Sequence, residues 1–349
     1  MKRLWSRASA DRLLAPFGGV IIFLLLAAAF FAVNGYSPLT IFVQIGKGAF
    51  GDALSTNTTL TKTIPILFCA LATALPARMG LVSVGAEGQL YFGALTGTGA
   101  AVGMIHANAA PLLPAALALA VVGGALWGAL PGLLRAVLGV NETIVTILLN
   151  YIGIQLVEYV VYGPWKDPSN LGWPATVAFP SNAKFPVLTL GSLSSNWSLP
   201  LAVLVALLLH IVLERSRWGT GLTLLRSNPR VARTAGLSYA RQAVVVMALA
   251  GGLAGIAGWV QTANVQSHLQ PDISSGYGYV GFLVAWLAGH NFLRIIPLAL
   301  IMGGLLSAGD ALQLFAQLPF ANTVVLQALL FISVLGFAAW RGKRSEGSP

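Results

Sequence analysis

Long charge-free apolar runs, not any short alternation of apolar and polar positions, set the rhythm of this chain. A helix needs about 20 such residues to cross a bilayer core. The pattern predicts ten spans, at 17–33, 61–77, 81–104, 111–135, 143–161, 199–213, 242–262, 276–289, 295–314 and 323–340. Residues 88–134 carry no formal charge and are too long for one helix, so the His106-Ala-Asn-Ala-Ala-Pro111 stretch is read as the divider between two. Strands of a closed barrel would alternate over roughly ten residues at a time, and no such alternation is present. The fold class is therefore all-α, a polytopic membrane protein with about ten transmembrane helices.

Composition agrees. Charged residues make up 9% of the 349 and apolar ones 56%, with a mean hydropathy of +0.79. Soluble domains carry roughly 25% charge, so a water-facing surface cannot be built, and a soluble enzyme or a disordered chain is excluded. The net charge of +10 gives no reason to invoke a nucleic-acid partner, because its distribution explains it otherwise. With the N-terminus inside, Lys47, Lys62, Lys166 and Lys184 are the outer basic residues, and the other sixteen of the 20 Lys and Arg face the cytoplasm. That is the positive-inside asymmetry. Both termini are expected in the cytoplasm, with no nucleic acid bound.

The chain reads as one transmembrane domain, 1–349, with two long loops. The outer loop, 162–198, is punctuated by Gly163-Pro164, Asp167-Pro168, Trp173-Pro174, Phe179-Pro180 and Phe185-Pro186, so it is turn-rich and not a continuous helix. The inner loop, 214–241, carries a short capped helix: Asn228 as cap, Pro229 in the first position, Gly236 at the exit. Arg226, Arg230 and Arg233 would share a face if the turn is continuous. Either this loop only fixes topology and meets anionic lipid, or it docks a cytosolic partner.

Polar residues inside apolar spans are the remaining candidates, because lipid makes them costly without a partner or water. Glu87 lies in the glycine-rich Gly85-Ala-Glu-Gly-Gln89 segment, with Ser83, Tyr91, Ala94 and Thr98 expected on its helical face. It either lines a path with Gln89, or lies near the inner interface and caps or pairs with an arginine such as Arg78. Glu142, Thr146, Asn150 and Gly153 form a second stripe, in which Asn150 is either interhelical glue or path lining. Asp310 shares a face with Gly303 and Ser307, and Trp286 is either packing or a ligand platform. Gly251, Gly255 and Gly258 form a seam for helix packing. The four histidines and Cys69 show no metal spacing, and no nucleophile elbow or phosphate-cradling loop occurs, so no catalytic residue, metal or cofactor is assigned to this chain.

These motifs together resemble the inner-membrane permeases of bacterial ABC importers for nucleosides and simple sugars, in particular the longer member of the nucleoside-type pair. The resemblance covers most of the chain and rests on Gly80-Leu81 with Gly85-Ala-Glu-Gly-Gln89, Asn141-Glu142 with Leu149-Asn150-Tyr151, Gly163-Pro164 with Lys166-Asp167-Pro168, Asn228-Pro229 with Ala232-Arg233 and Ala235-Gly236, and Gly276-Tyr277-Gly278. It departs from the pattern at Val82-Ser83, Val280 and Trp286. It implies a multi-pass inner-membrane subunit, partnered by a second permease, a cytosolic subunit that binds and hydrolyses ATP, and an extracytoplasmic solute-binding lipoprotein. It also implies that 228–236 is the coupling helix. A simple-sugar permease is the alternative within the class. A proton-coupled carrier using Glu87, Glu142 or Asp310 is the alternative outside it.

Overall fold

The computed structural model describes residues 2–104, 112–170, 172–315 and 317–346, so the divider expected at 106–111 lies outside the described residues. The chain is predominantly helical. In order it forms α1 (Lys2–Val33), α2 (Pro38–Phe50), α3 (Ala53–Ala77), α4 (Ala86–Gly103), α5 (Leu112–Leu138) and α6 (Glu142–Tyr162). A hairpin of β1 (Val187–Leu190) and β2 (Leu193–Asn196) follows, then α7 (Ser198–Arg215), α8 (Arg217–Ser227), α9 (Pro229–Thr234) and α10 (Tyr239–Val260). A π-helical turn (Gln261–Gln266) closes α10, and α11 (Tyr277–Leu287), α12 (Phe292–Phe315) and α13 (Ala321–Glu346) complete the chain.

Among the described residues, six helices are long and apolar enough to cross a membrane: α3, α5, α6, α7, α10 with its π turn, and α12. Shorter apolar helices accompany them, at Tyr277–Leu287 and Ala321–Phe337. The pattern did not predict α2. It leaves Gly18–Val33 at an angle of 116°, where Gly35 takes a left-handed φ of +81° and Pro38 opens the next helix. Hydropathy continues through such a corner, so only the turn residues mark it.

Contacts divide the chain into two compact units, Met1–Thr59 with Met302–Pro349, and Leu60–Ile301. In the first, Ser307 donates its hydroxyl to the carbonyls of Gly48 (3.0 Å) and Ser55 (3.3 Å). Asp52 caps α3 by accepting from the Ser55 amide at 2.6 Å.

The second unit is built around α4, α5 and α10. The expected glycine seam is there and is very tight: a methyl group on Gly251 would overlap the carbonyl of Gly124, one on Gly255 that of Ala120, and one on Gly258 that of Leu90. Lipid gives helices no hydrophobic reason to associate, so close backbone approach and dispersion hold them. The 162–198 loop is not a continuous helix, as its prolines predict, and it is anchored to the exit of α10. Asn264 accepts from the Phe185 amide (3.1 Å) and donates to the Phe185 carbonyl (2.9 Å). Thr176 and Leu269 pair by two bonds of 3.0 Å, and the Lys184 ammonium donates to Ser267 Oγ at 2.7 Å.

Candidate functional site

The helix expected from residue 81 starts only at Ala86. Residues 82–85 are not helical, so Ser83 precedes the helix and does not share its face with Glu87, Tyr91, Ala94 and Thr98. Leu-Val-Ser-Val is as apolar as a helix interior, which is why hydropathy hides the break. The peptide groups of a non-helical segment inside a span need partners other than water, and α6 supplies them. Glu142 Oε1 accepts from the Val82 amide (3.2 Å), and Thr143 donates its hydroxyl to the Val82 carbonyl (3.0 Å). Thr146 Oγ1 accepts from the Val84 amide (3.2 Å). Asn150 donates to the Val84 carbonyl and accepts from the Gly88 amide, both at 2.9 Å. The polar stripe predicted on this helix is thus a ladder for an irregular backbone. Gly153 continues it by letting Gly88 approach.

Glu87 does not meet Arg78. Its Oε2 accepts from the Gly278 amide at 2.6 Å, at the N-terminus of α11, where a helix presents unpaired N–H groups and favours an anion. Two helices therefore begin at this point, α4 and α11, with one carboxylate between them. Asn150 is fully buried, and its amide also lies 3.5 Å from Tyr279 Oη. Gln89 is buried beside Gly85. Trp286 is farther along α11 and 41% exposed, with its ring edge-on to His290. Asp310 is half-buried on α12 and belongs to the other compact unit, so it is not described with this group.

At one end of the Leu60–Ile301 unit the inner-loop residues gather. Asn228 Oδ1 accepts from the amides of Arg230 (3.1 Å) and Val231 (3.2 Å), Pro229 opens α9, and Gly236 leaves it at φ +78°. Ala232 is buried, while Arg230, Val231 and Arg233 are exposed. Arg226 does not join their face. The chain is extended at Asn228, so α8 and α9 are separate helices, and Arg226 donates instead to the Ala77 carbonyl at 3.3 Å. Arg78 pairs with Glu214 at 2.6 Å and lies over the Phe292 ring. His290, in the turn after α11, has a left-handed φ of +58°. Burial and the positive charges of Arg226 and Arg78 push its imidazole pKa below the ordinary value. A cleft of about 830 Å³ lies beside α9, lined by Arg135, Pro229, Arg233, Gly236, Leu237 and Tyr239 among others.

A bundle of apolar helices, with a broken span held by polar side chains and a capped basic helix beside its ends, defines a membrane transport subunit. The chain belongs to the family described as the branched-chain amino acid transport system / permease component, whose model matches residues 55–335, and it is an ABC transporter permease. It is 30% identical to the glucose ABC transporter permease protein TsgB13 of Haloferax volcanii over 79% of this chain and 74% of that one. It is 28% identical to the guanosine ABC transporter permease protein NupP of Bacillus subtilis, over 95% of each. It is 26% identical to the nucleoside ABC transporter permease protein NupB of Lactococcus lactis, over 93% and 92%.

Proposed function

We propose that the chain is the membrane permease of an ATP-driven importer for nucleosides or related base-and-sugar compounds. It would cross a bacterial inner membrane about ten times, with both termini and α9 in the cytoplasm. In this reading a second permease, an ATP-hydrolysing cytosolic subunit and an extracytoplasmic binding lipoprotein complete the machine, and this chain supplies no catalytic group or cofactor of its own. The observation that carries the reading is α9. A six-residue helix capped at both ends, anchored by buried Ala232 and presenting Arg230, Val231 and Arg233, is more than topology requires and suits a docking role. The solute class is supported by the two relatives that align nearly end to end, one named for guanosine and one for nucleosides. The relative named for glucose aligns over less of the chain, which keeps simple sugars as the second reading.

Within this proposal Glu87 and Asn150 shape the path by holding backbone, with Gln89 packed beside them. Asn228, Pro229 and Gly236 shape the ends of α9, Arg230 and Arg233 meet the ATPase, and Arg226 braces α8. Reconstitution with its partners tests the whole. Labelled guanosine should be taken up and competed by other nucleosides. Competition by free pentoses or hexoses alone rejects the nucleoside class. Arg230→Glu with Arg233→Glu should leave membrane insertion intact and abolish solute-stimulated ATP hydrolysis, and unchanged stimulation rejects the coupling role.

A further inference from the structure

Most of what α6 exposes is apolar, as a helix facing lipid should be. Ile144 and Leu148 lie on one line of its surface, and that line continues through Tyr151, Gln155, Tyr159 and Tyr162, all of them exposed. The steps between these positions are three or four residues, so the side chains form a single stripe. The helix has 21 residues and is therefore roughly 31 Å long. Tyr159 and Tyr162 fall in its last turn, where an interfacial belt accounts for them. Tyr151 and Gln155 do not: they lie about 13 and 20 Å from its start, within the hydrocarbon depth. Tyr151 is 62% exposed. Gln155 is exposed and makes no hydrogen bond among the described residues. A carboxamide with no partner is poorly placed against lipid tails.

The neighbouring helix presents the same chemistry at the same depth. Tyr279 is in the first turn of α11, 37% exposed, with its hydroxyl 3.5 Å from the amide of Asn150, the residue next to Tyr151. Along α11 the outward positions are Phe282 and then Trp286, whose rings stand 5.9 Å apart. No formal charge occurs among these residues. Directly behind them lie the irregular segment 82–85, held by the α6 side chains, and the paired starts of α4 and α11; irregular backbone at this depth is tolerated where it is buried in protein or lines a water-filled cavity.

We propose that Tyr151, Gln155 and Tyr279, with Trp286 further along, form one wall of a water-filled solute path and make passing contact with a flat, uncharged heterocycle. This rests on the solute class proposed above. Aromatic faces stack on such a ring without regard to its substituents. The phenol hydroxyls and the Gln155 amide offer hydrogen bonds to its edge and to an attached sugar. None of these four side chains is charged, which suits a neutral solute, and half-buried Glu158, one turn beyond Gln155 on the same face, marks the far end of the wall.

Single cysteines at 151, 155 and 279, in a Cys69→Ala background, test this in the complete reconstituted complex with a small water-soluble thiol reagent and guanosine. All three should react, guanosine should slow the reaction several-fold, and Leu208→Cys, on the exposed apolar face of α7, should stay unreactive. Tyr151→Phe, which keeps the ring, should retain uptake, and Tyr151→Leu should lower it about fivefold. No reaction at these positions, in a complex that still takes up guanosine, overturns the wall and leaves the solute class standing. Reaction slowed by glucose and not by guanosine, in a complex that takes up only sugar, overturns the solute class and the flat-ring contact together.

Discussion

Two regions of the Leu60–Ile301 unit solve the same problem in opposite ways. Where α5 crosses α10, the solution is subtraction: Gly124 and Gly128 face Gly251 and Gly255, no polar side chain intervenes, and the backbones touch. Where α4 and α11 begin, the solution is addition: Glu142, Thr143, Thr146, Asn150 and Glu87 reach in to satisfy peptide groups that no helix pairs. The first interface has no slack and no alternative partners. The second consists of discrete bonds that can be exchanged one at a time. A transporter needs both, a rigid crossing to lever against and a junction whose bonds can be remade.

If this contrast is right, substitutions should fail differently at the two places. Gly255→Val drives a side chain into the Ala120 carbonyl and should cost about 3 kcal/mol or more. Loss of monodisperse protein on purification in mild detergent checks it, and normal yield and thermal stability would show the seam to be adaptable. Asn150→Leu removes both partners of Val84 and Gly88 without changing volume greatly, and should cost about 1–2 kcal/mol, read as a lowered unfolding temperature in a protein that still purifies. Glu87→Gln keeps an acceptor for the Gly278 amide and loses only the attraction of a charge for a helix start. We expect a cost of roughly 0.3–1 kcal/mol, with Glu87→Leu worse, and uptake by Glu87→Gln within a few-fold of the parent. Abolished uptake by a stable Glu87→Gln would give the carboxylate a role beyond capping.

The smallest effect concerns pH. His290 has its imidazole pKa lowered by burial and by Arg226 and Arg78, so the folded protein binds this proton less readily than the unfolded chain. Its contribution should be complete above the ordinary imidazole value of about 6.5 and should be lost as pH falls through it. His290→Asn, which tolerates the left-handed backbone, should flatten the stability profile between pH 7.5 and 5.5. A profile identical to the parent would remove His290 from the account.

The sequence is legible where one residue type has one physical meaning. Asn228-Pro229 and Gly236 mark the ends of α9, the spacing of Gly251, Gly255 and Gly258 marks a close crossing, and the prolines of 162–198 keep a helix from forming there. Legibility ends where pattern and geometry separate. Leu81-Val-Ser-Val84 has the hydropathy of a span and the conformation of a connector. Arg226, four residues before Arg230 and seven before Arg233 in the pattern, is turned away by one extended residue. Glu87 caps a helix start, one of the two partners open to it in the sequence, but that start is on α11, which no local pattern beside Glu87 names. Gln155 carries the same signal as Asn150, a polar residue inside an apolar span, and only the three-dimensional structure separates them, burying one and exposing the other.

The π turn that closes α10 has a consequence in chain length. A π turn amounts to one residue more than an α-helix would use. Wound as an ordinary α-helix, the same six residues of 261–266 would turn further, and everything beyond would arrive rotated by roughly 100°. Asn264, which clasps the backbone of Phe185 from both sides, would then point elsewhere, and the 162–198 loop would lose its clasp. The exit of α10 thus depends on the wider turn, and a change that forces ordinary α winding there should be felt as far away as Phe185.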